Sequence, residues 1–173
     1  MALARRRCKR YHLFMNPYAS HLANQDPLEV IAATPARLNR LVAEMGPQGT
    51  EKAPAPGKWN ARQIVCHLAD CELVFAFRIR QTLSQDRHIV QPFEQDDWAK
   101  NYAAYSASDA LALFSAARLW NCALVNSLDS KAFAKPLTHP ERGDMTFRTL
   151  IETMAGHDLN HLRQLESLAA LAA

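Results

Sequence analysis

The stretch of the chain that decides the fold is residues 147–168, which read FRTLIETMAGHDLNHLRQLESL. Apolar side chains recur in it at intervals of three, four and seven residues, which is the period of an amphipathic helix. The apolar stripe consists of Phe147, Leu150, Ile151, Met154, Leu165 and Leu168. A stripe of this length has to be covered by other apolar surfaces, so we expect this helix to pack against several others.

Two histidines interrupt the stripe. His157 and His161 are four residues apart, so on a helix their directions differ by only about 40°, and both point into the apolar arc. His67 has the same position on an earlier helix, where Ile64 and Cys71 lie within about 60° of its direction. The sequence therefore points three imidazoles into one core from two helices.

Buried imidazoles need partners for both ring nitrogens. One interpretation is that hydrogen bonds inside the core satisfy them. The other is a divalent metal, because three histidine ligands leave positions open, as at catalytic rather than structural zinc sites. We predict a metal site made of His67, His157 and His161. A zincin-type site is disfavoured, since that motif requires Glu where Asp158 stands.

Other polar residues lie near the predicted ligands. Asp70 and Asp158 flank histidines and are candidates for an acid–base group or for orienting the ligands. Arg78 shares the helix face of the first histidine and is a candidate to bind an anionic substrate, with extension into solvent as the alternative. Asn121 interrupts the stripe of a third helix and is a candidate to reach the site. Gly156 would let a neighbouring helix approach closely.

Three more long helices precede the quoted one, with predicted bounds near 27–45, 60–84 and 106–128. Thr34-Pro35 is expected to kink the first or divide it in two, and Asn60 with Gln63 forms a capping box at the start of the second. No strand is predicted. The fold class is therefore all-α, a four-helix bundle. The remaining histidines fall in the tail or in loops and are expected at the surface: His12, His21, His88 and His139.

The net charge of +3 comes from the first ten residues, which hold five of the 20 Lys and Arg side chains. Residues 11–173 carry 15 basic and 17 acidic side chains, so the folded part lacks the charge expected for nucleic-acid binding. We expect residues 1–15 to be a basic tail, either disordered or translated upstream of a true start at Met15. Residues 16–173 then form the single bundle domain.

The four cysteines are Cys8, Cys66, Cys71 and Cys122, and they form no C-x-x-C pair. We expect buried thiols in a reducing compartment, with the cytoplasm as the location. No apolar run approaches the length of about 18 residues that a membrane span requires. A membrane partner is therefore not expected.

Several motifs resemble the DinB/YfiT-like superfamily. They are PGKWN at 56–60, HLAD at 67–70, QPFEQD at 91–96 and AGHDLNH at 155–161. The resemblance extends over about residues 16–170. Its most specific part is one histidine on the second helix followed by H-x-x-x-H on the last.

The resemblance implies an up-down-down-up bundle, a homodimer and a divalent metal, zinc or nickel, held by His67, His157 and His161. Characterised members of the superfamily include S-transferases and isomerases that use a low-molecular-weight thiol, and others are called metal-dependent hydrolases. The first hypothesis is therefore a metal-dependent enzyme that acts on a small molecule, with a thiol as a candidate co-substrate. The second is a non-catalytic bundle, stabilised by metal, that acts in binding or stress response.

Overall fold

The computed structural model of the protein describes residues 16–172. The predicted basic tail, residues 1–15 with His12 and Cys8, lies outside the described residues and stays a prediction. Six α-helices, two 3-10 helices of three residues each and a small sheet make up the described part. The helices are α1 (Ala19–Leu22), α2 (Pro27–Gly49), α3 (Ala61–Ser84), α4 (Gln95–Ala99), α5 (Ala107–Asn126) and α6 (Phe147–Ala172). Within residues 16–172, each helix is too short or too polar to cross a membrane.

The long helices begin where their capping residues predict. The side chain of Asp26 accepts a hydrogen bond from the Leu28 N–H at 2.8 Å, directly before Pro27. Asn60 and Gln63 form the full capping box, each side chain accepting from the other's backbone N–H. Such caps satisfy the N–H groups that have no partner inside the first turn. The predicted starts of these helices are confirmed.

Helix α2 continues through Pro35 and breaks later, at Gly46, where φ is 63°. Pro35 has no N–H, so the carbonyl of Ile31 loses its usual helical partner. The guanidinium of Arg118 donates to that carbonyl at 3.0 Å instead. Gly46 accepts a positive φ at little cost because it has no Cβ. The helix is therefore not divided in two at Thr34-Pro35, and its non-helical backbone lies at Gly46 instead.

The long helices are ordered α2, α6, α3, α5 around the bundle, so the consecutive helices α2 and α3 are diagonal rather than adjacent. Helices α2 and α6 are parallel: Arg118 contacts both Ile31 and Asp158, and further along, Arg37 pairs with Glu166. This arrangement differs from a simple up-down bundle, in which consecutive helices are neighbours.

Helices α3 and α5 are also parallel. Cys66 and Ala110 line one cavity near their starts, and further along, Arg80 donates to Asn121 at 2.7 Å. Helices α3 and α6 are antiparallel, because residue 64 lies against residue 168 and residue 71 against residue 157. The directions together give an up-down-down-up bundle, which confirms the predicted topology.

The prediction that the chain contains no strand is wrong. The strands β1 (His88–Ile89), β2 (Pro136–His139) and β3 (Gly143–Thr146) form a sheet in which β1 and β2 are parallel and β2 and β3 antiparallel. These strands are two to four residues long, too short for an alternating pattern to show. His88 lies in β1 and His139 in β2. They are only 5% and 6% exposed, so their predicted surface positions are wrong. His21 is half-buried.

A charged residue lies at the centre of the core. Arg118 is 1% exposed and ranks with Phe114 and Phe147 among the largest fully buried side chains. Its Nε and Nη2 donate to one carboxylate oxygen of Glu72, at 2.9 and 2.7 Å. Its Nη1 and Nη2 donate to the two carboxylate oxygens of Asp158. Including the bond to α2, one side chain on α5 thus binds all three of the other long helices.

Asn121 completes this network on the side of α3. Its Nδ2 donates to the second oxygen of Glu72 at 2.7 Å, and its own oxygen accepts from Arg80. Burial raises the pKa of Glu72, although Arg118 acts in the opposite direction. Burial likewise disfavours the charge on Arg118, but the two carboxylates outweigh it and raise the pKa of its guanidinium. The network is therefore a satisfied buried ion cluster.

We expect Arg118→Leu to lower the free energy of unfolding by about 3–5 kcal/mol, because removing one partner leaves buried carboxylates without compensation. Urea denaturation measures this change. Arg40→Leu is the matched control, since Arg40 is exposed and, among residues 16–172, pairs with Glu44 one turn away. The control should change stability by less than about 0.5 kcal/mol. A loss below about 1 kcal/mol for Arg118→Leu would contradict the account.

Candidate metal centre

The three predicted ligand histidines meet at the contact between α3 and α6. The centroid of the His67 ring lies 5.1 Å from that of His157 and 4.8 Å from that of His161. The rings of His157 and His161 are 4.5 Å apart. All three side chains are buried. The antiparallel pairing of α3 and α6 makes this possible, because it sets one turn of α3 against one turn of α6.

The buried ion cluster fixes the register of these two helices. Glu72 directly follows Cys71 on α3, and Asp158 directly follows His157 on α6. Both carboxylates bind the same guanidinium, that of Arg118. Since adjacent residues on a helix point about 100° apart, the carboxylates can face α5 while their neighbours face each other. The ion cluster thus holds the site residues opposite one another.

Ring nitrogens of two of the three histidines lie close enough together to share a ligand. The Nε2 atoms of His67 and His157 are 3.0 Å apart. The Nδ1 of His161 lies 3.1 Å from the side-chain oxygen of Gln164, to which a protonated Nδ1 donates. This leaves the lone pair of its Nε2 free, which is the usual way a second hydrogen bond orients a histidine ligand.

Cys71 adds a sulfur to the cluster. Its Sγ lies 3.5 Å from the Nε2 of His67 and 3.9 Å from that of His157. One donor atom from each of these three residues lies within 4.8 Å of the other two. In a tetrahedral zinc site, two nitrogen ligands are about 3.4 Å apart and nitrogen and sulfur about 3.6 Å apart. The observed spacings agree with such a site to within a few tenths of an ångström.

Burial keeps the imidazoles neutral, which is the form that binds a metal. It lowers the pKa of His67 to about 3, with a further contribution from His161. Burial lowers the pKa of His157 and His161 too, and neighbouring histidines add to the effect at His157. The pKa of the Cys71 thiol is raised by burial and by nearby Asp70. Three neutral, soft-to-borderline donors and one thiol fit a divalent transition metal.

Gly156 matters because of the segment before α1. A Cβ at this position would lie 2.5 Å from the Tyr18 carbonyl oxygen and 2.8 Å from its Cβ. The close neighbour is therefore Tyr18, the residue that directly precedes the short helix α1. The ring of Tyr18 packs edge-on against His157, 5.1 Å between centroids. The Nδ1 of His157 is buried and has no hydrogen-bond partner among residues 16–172.

A cavity of about 80 Å³ opens beside His157. Arg78 lines it together with Tyr18 and Cys71, so this candidate substrate-binding residue does lie next to the histidines. Asn121 does not, because its side chain is bound to Glu72 in the ion cluster. The candidate could not be placed from the sequence, since nothing along the chain shows which side chain faces it across the bundle.

The two candidate acid–base residues lie apart from the cavity. Both oxygens of Asp158 accept hydrogen bonds from Arg118, so they are committed to the ion cluster. Asp70 lines a different cavity, of about 210 Å³, between α3 and α5. Burial raises its pKa and the Tyr102 hydroxyl opposes that shift. Sequence reasoning missed the placement of Cys71, although the signal was present: it lies one helical turn after His67.

We expect metal-free protein to lose stability as the pH falls from about 6.5, the ordinary histidine pKa. The folded state keeps these imidazoles neutral, His67 down to about pH 3, while the unfolded chain binds protons. The free energy of unfolding should therefore fall by about 1.4 kcal/mol per pH unit for each such histidine. Urea denaturation between about pH 5 and about pH 7, a range that includes the ordinary histidine pKa, measures the slope. His67→Gln should reduce it by one histidine's share, and an unchanged slope would contradict the account.

Comparison with known proteins identifies the family to which the chain is similar. The sequence profile of the DinB superfamily matches residues 31–165. A protein of Oceanobacillus iheyensis named "Putative metal-dependent hydrolase" is 24% identical over 135 residues, 78% of each chain. YfiT of Bacillus subtilis, which carries the same designation, is 23% identical over 145 residues, 82% of each chain.

The solved structure of YfiT is similar in fold. It superposes with a TM-score of 0.77 and covers 84% of this chain and 85% of its own. Its four-helix bundle is described as having an unusual topology, and the order α2, α6, α3, α5 departs from the simple up-down bundle here as well. With a family profile matched over most of its length and this fold, the chain belongs to the DinB superfamily.

Proposed function

We propose that the protein binds one divalent metal ion through His67, His157 and His161 and uses it to hydrolyse a small molecule. The observation that carries the proposal is the meeting of three buried, neutral imidazoles beside a cavity that opens next to His157. A cavity at an imidazole cluster gives a ligand access to the donor atoms. Three protein ligands also leave a coordination position for it, as at catalytic zinc sites.

Zinc or nickel is the metal we propose, because imidazole nitrogen suits both ions. Bound at this site, either ion would supply a Lewis acid and a nucleophile at neutral pH. Other residues of the chain would hold the histidine ligands in position around the ion. The ring of Tyr18 packs against His157, and Gln164 holds the ring of His161. We assign neither Asp70 nor Asp158 as the base, since both lie away from this cavity.

Hydrolysis is preferred over thiol-dependent transfer because the named relatives are called metal-dependent hydrolases. A low-molecular-weight thiol remains the proposed co-substrate of the alternative reaction, S-transfer or isomerisation. A free coordination position would admit a thiolate as well as water. The two reactions differ in one requirement, since only transfer needs an added thiol.

A second candidate function rests on Cys71. If its sulfur joined the three histidines, four protein ligands would close the site, which is the pattern of structural zinc. The protein would then be a non-catalytic bundle stabilised by metal, acting in binding or stress response. The distance of 3.5 Å from Sγ to the Nε2 of His67 favours this alternative. Coordination would convert the buried thiol into a thiolate, because a bound metal ion drives that deprotonation.

We further propose that the protein acts in the cytoplasm as a homodimer. Cys66, Cys71 and Cys122 are free thiols, which suits a reducing compartment. The exposed face of α5 carries Leu119 and Trp120, and the Trp120 side chain is 70% exposed. Large apolar side chains next to each other on a surface are typical of an interaction site.

We expect the wild-type chain to bind zinc stoichiometrically and to hydrolyse esters or amides. His157→Ala and His161→Ala should lose both the zinc and the hydrolysis. Each variant removes one of three ligands, and elemental analysis after dialysis measures the remaining metal. His88→Gln is the matched control, because His88 is buried but lies outside the cluster. Unchanged metal content in the alanine variants would refute the site. Turnover only with added thiol would replace hydrolysis by the transfer reaction.

Cobalt substitution separates the open site from the closed one. We expect the Cys71 sulfur to lie outside the coordination shell, because hydrolysis needs the coordination position that three protein ligands leave open. The cobalt protein should then lack a thiolate-to-cobalt charge-transfer band, and Cys71→Ser should leave its spectrum unchanged. Cys122→Ser is the control, a half-buried thiol away from the cluster. A band that disappears only in Cys71→Ser would establish the closed site.

A further inference from the structure

Two arginines meet at the cavity beside His157. Arg78 comes from α3 and Arg142 from the turn between β2 and β3, and both line the cavity of about 80 Å³. Neither side chain makes an ion pair with a carboxylate in the described part of the chain, residues 16–172. Other arginines of the described chain do: Arg37 pairs with Glu166, and Arg62 with Glu51. Positive charge is thus concentrated at the cavity that His157 lines.

The hydrogen bonds of Arg78 show that its guanidinium is incompletely satisfied. Its Nη2 donates to the carbonyl oxygen of Gln91 at 3.0 Å. Its Nε is buried and has no hydrogen-bond partner among residues 16–172. Burial, reinforced by the charge of Arg142, lowers the pKa of Arg78 to about 10. Two cations that disfavour each other in a partly buried place are costly unless an anion joins them.

We propose that this cavity binds the anionic end of the substrate, a carboxylate or a phosphate, between Arg78 and Arg142. Guanidinium groups bind both oxyanions through paired, charge-assisted hydrogen bonds. The volume of about 80 Å³ is small beside the roughly 300 Å³ or more of a pocket for a drug-sized ligand. We therefore assign to this cavity one oxyanion group of the substrate rather than the whole molecule.

The body of the substrate is apolar. A second cavity, of about 290 Å³, shares Val74, Arg78 and Phe93 with the first, so the two adjoin. Its other walls include Phe77 and Trp98, and the Trp98 ring packs 4.9 Å from that of Phe93. Aromatic walls of this kind bind apolar and aromatic groups. An anionic end in the small cavity would place the apolar body in the larger one.

This inference rests on the proposed function, because it assumes that the protein has a small-molecule substrate, and it identifies that substrate as an amphiphilic anion. Binding of the anion does not need the metal, because the two arginines that would hold the anion are part of the cavity wall. It can therefore be tested on full-length protein freed of metal by dialysis. Testing the metal-free chain also prevents the probe from binding the ion directly.

The probes are phenylacetate, phenyl phosphate, acetate and the uncharged phenylacetamide, with affinities measured by titration calorimetry. We expect phenylacetate or phenyl phosphate to bind, and the tighter one identifies the oxyanion. Acetate, which lacks the apolar body, and phenylacetamide, which lacks the charge, should each bind at least about tenfold more weakly. Equal binding of the neutral amide would overturn the proposal, as would failure of both anions to bind.

Arg78→Gln and Arg142→Gln should each weaken binding of the preferred anion by about tenfold. Arg142 lies in a turn, so its variant is expected to fold even if the Arg78 variant does not. Arg40→Gln removes the same charge from an exposed position on α2 and should leave the affinity unchanged. Equal weakening by all three variants, or by none, overturns the proposal. If the protein takes up zinc but shows no arginine-dependent binding of the anion, this inference alone is rejected. If it binds the anion but does not take up zinc when zinc is offered, only the metal proposal is rejected.

Discussion

Arg118 donates hydrogen bonds to groups on the three other long helices: the Ile31 carbonyl on α2, Glu72 on α3 and Asp158 on α6. A guanidinium buried this deeply is stable only where several acceptors surround it. That requirement ties the helices to one level along the bundle. It also explains how α2 tolerates Pro35, because the carbonyl that the proline leaves without a partner is the one that Arg118 binds.

The histidine cluster depends on the same interaction. Glu72 and Asp158 are the immediate neighbours of Cys71 and His157, so a shift of either helix would break the ion cluster and separate the donor atoms. The chemistry of the site and the stability of the core are thus coupled through adjacent residues. The neutral imidazoles face one side of each helix and the charged groups the other. Burial disfavours charge in both places: it keeps the imidazoles of the site neutral, whereas in the network the attraction between Arg118 and its two carboxylates outweighs it.

The sequence predicted the parts of the fold that local patterns determine. Helix periodicity and the capping box at Asn60 gave the long helices, and three histidines on apolar faces pointed to the cluster whose rings the structure brings together. The small sheet escaped prediction because its strands are too short for a period, and the burial of His88 and His139 went with it. Arg118 was missed because its partners lie on other helices, and a single sequence shows no contacts across a bundle.

X-ray absorption spectroscopy of the zinc-loaded full-length protein tests the central claim most directly, because it reports the atoms bound to the metal. The account predicts three imidazole nitrogens at about 2.0–2.1 Å, with the outer-shell scattering of histidine rings. A shell of oxygen atoms without imidazole scattering would contradict it. In that case the buried histidines would be core residues that serve no metal.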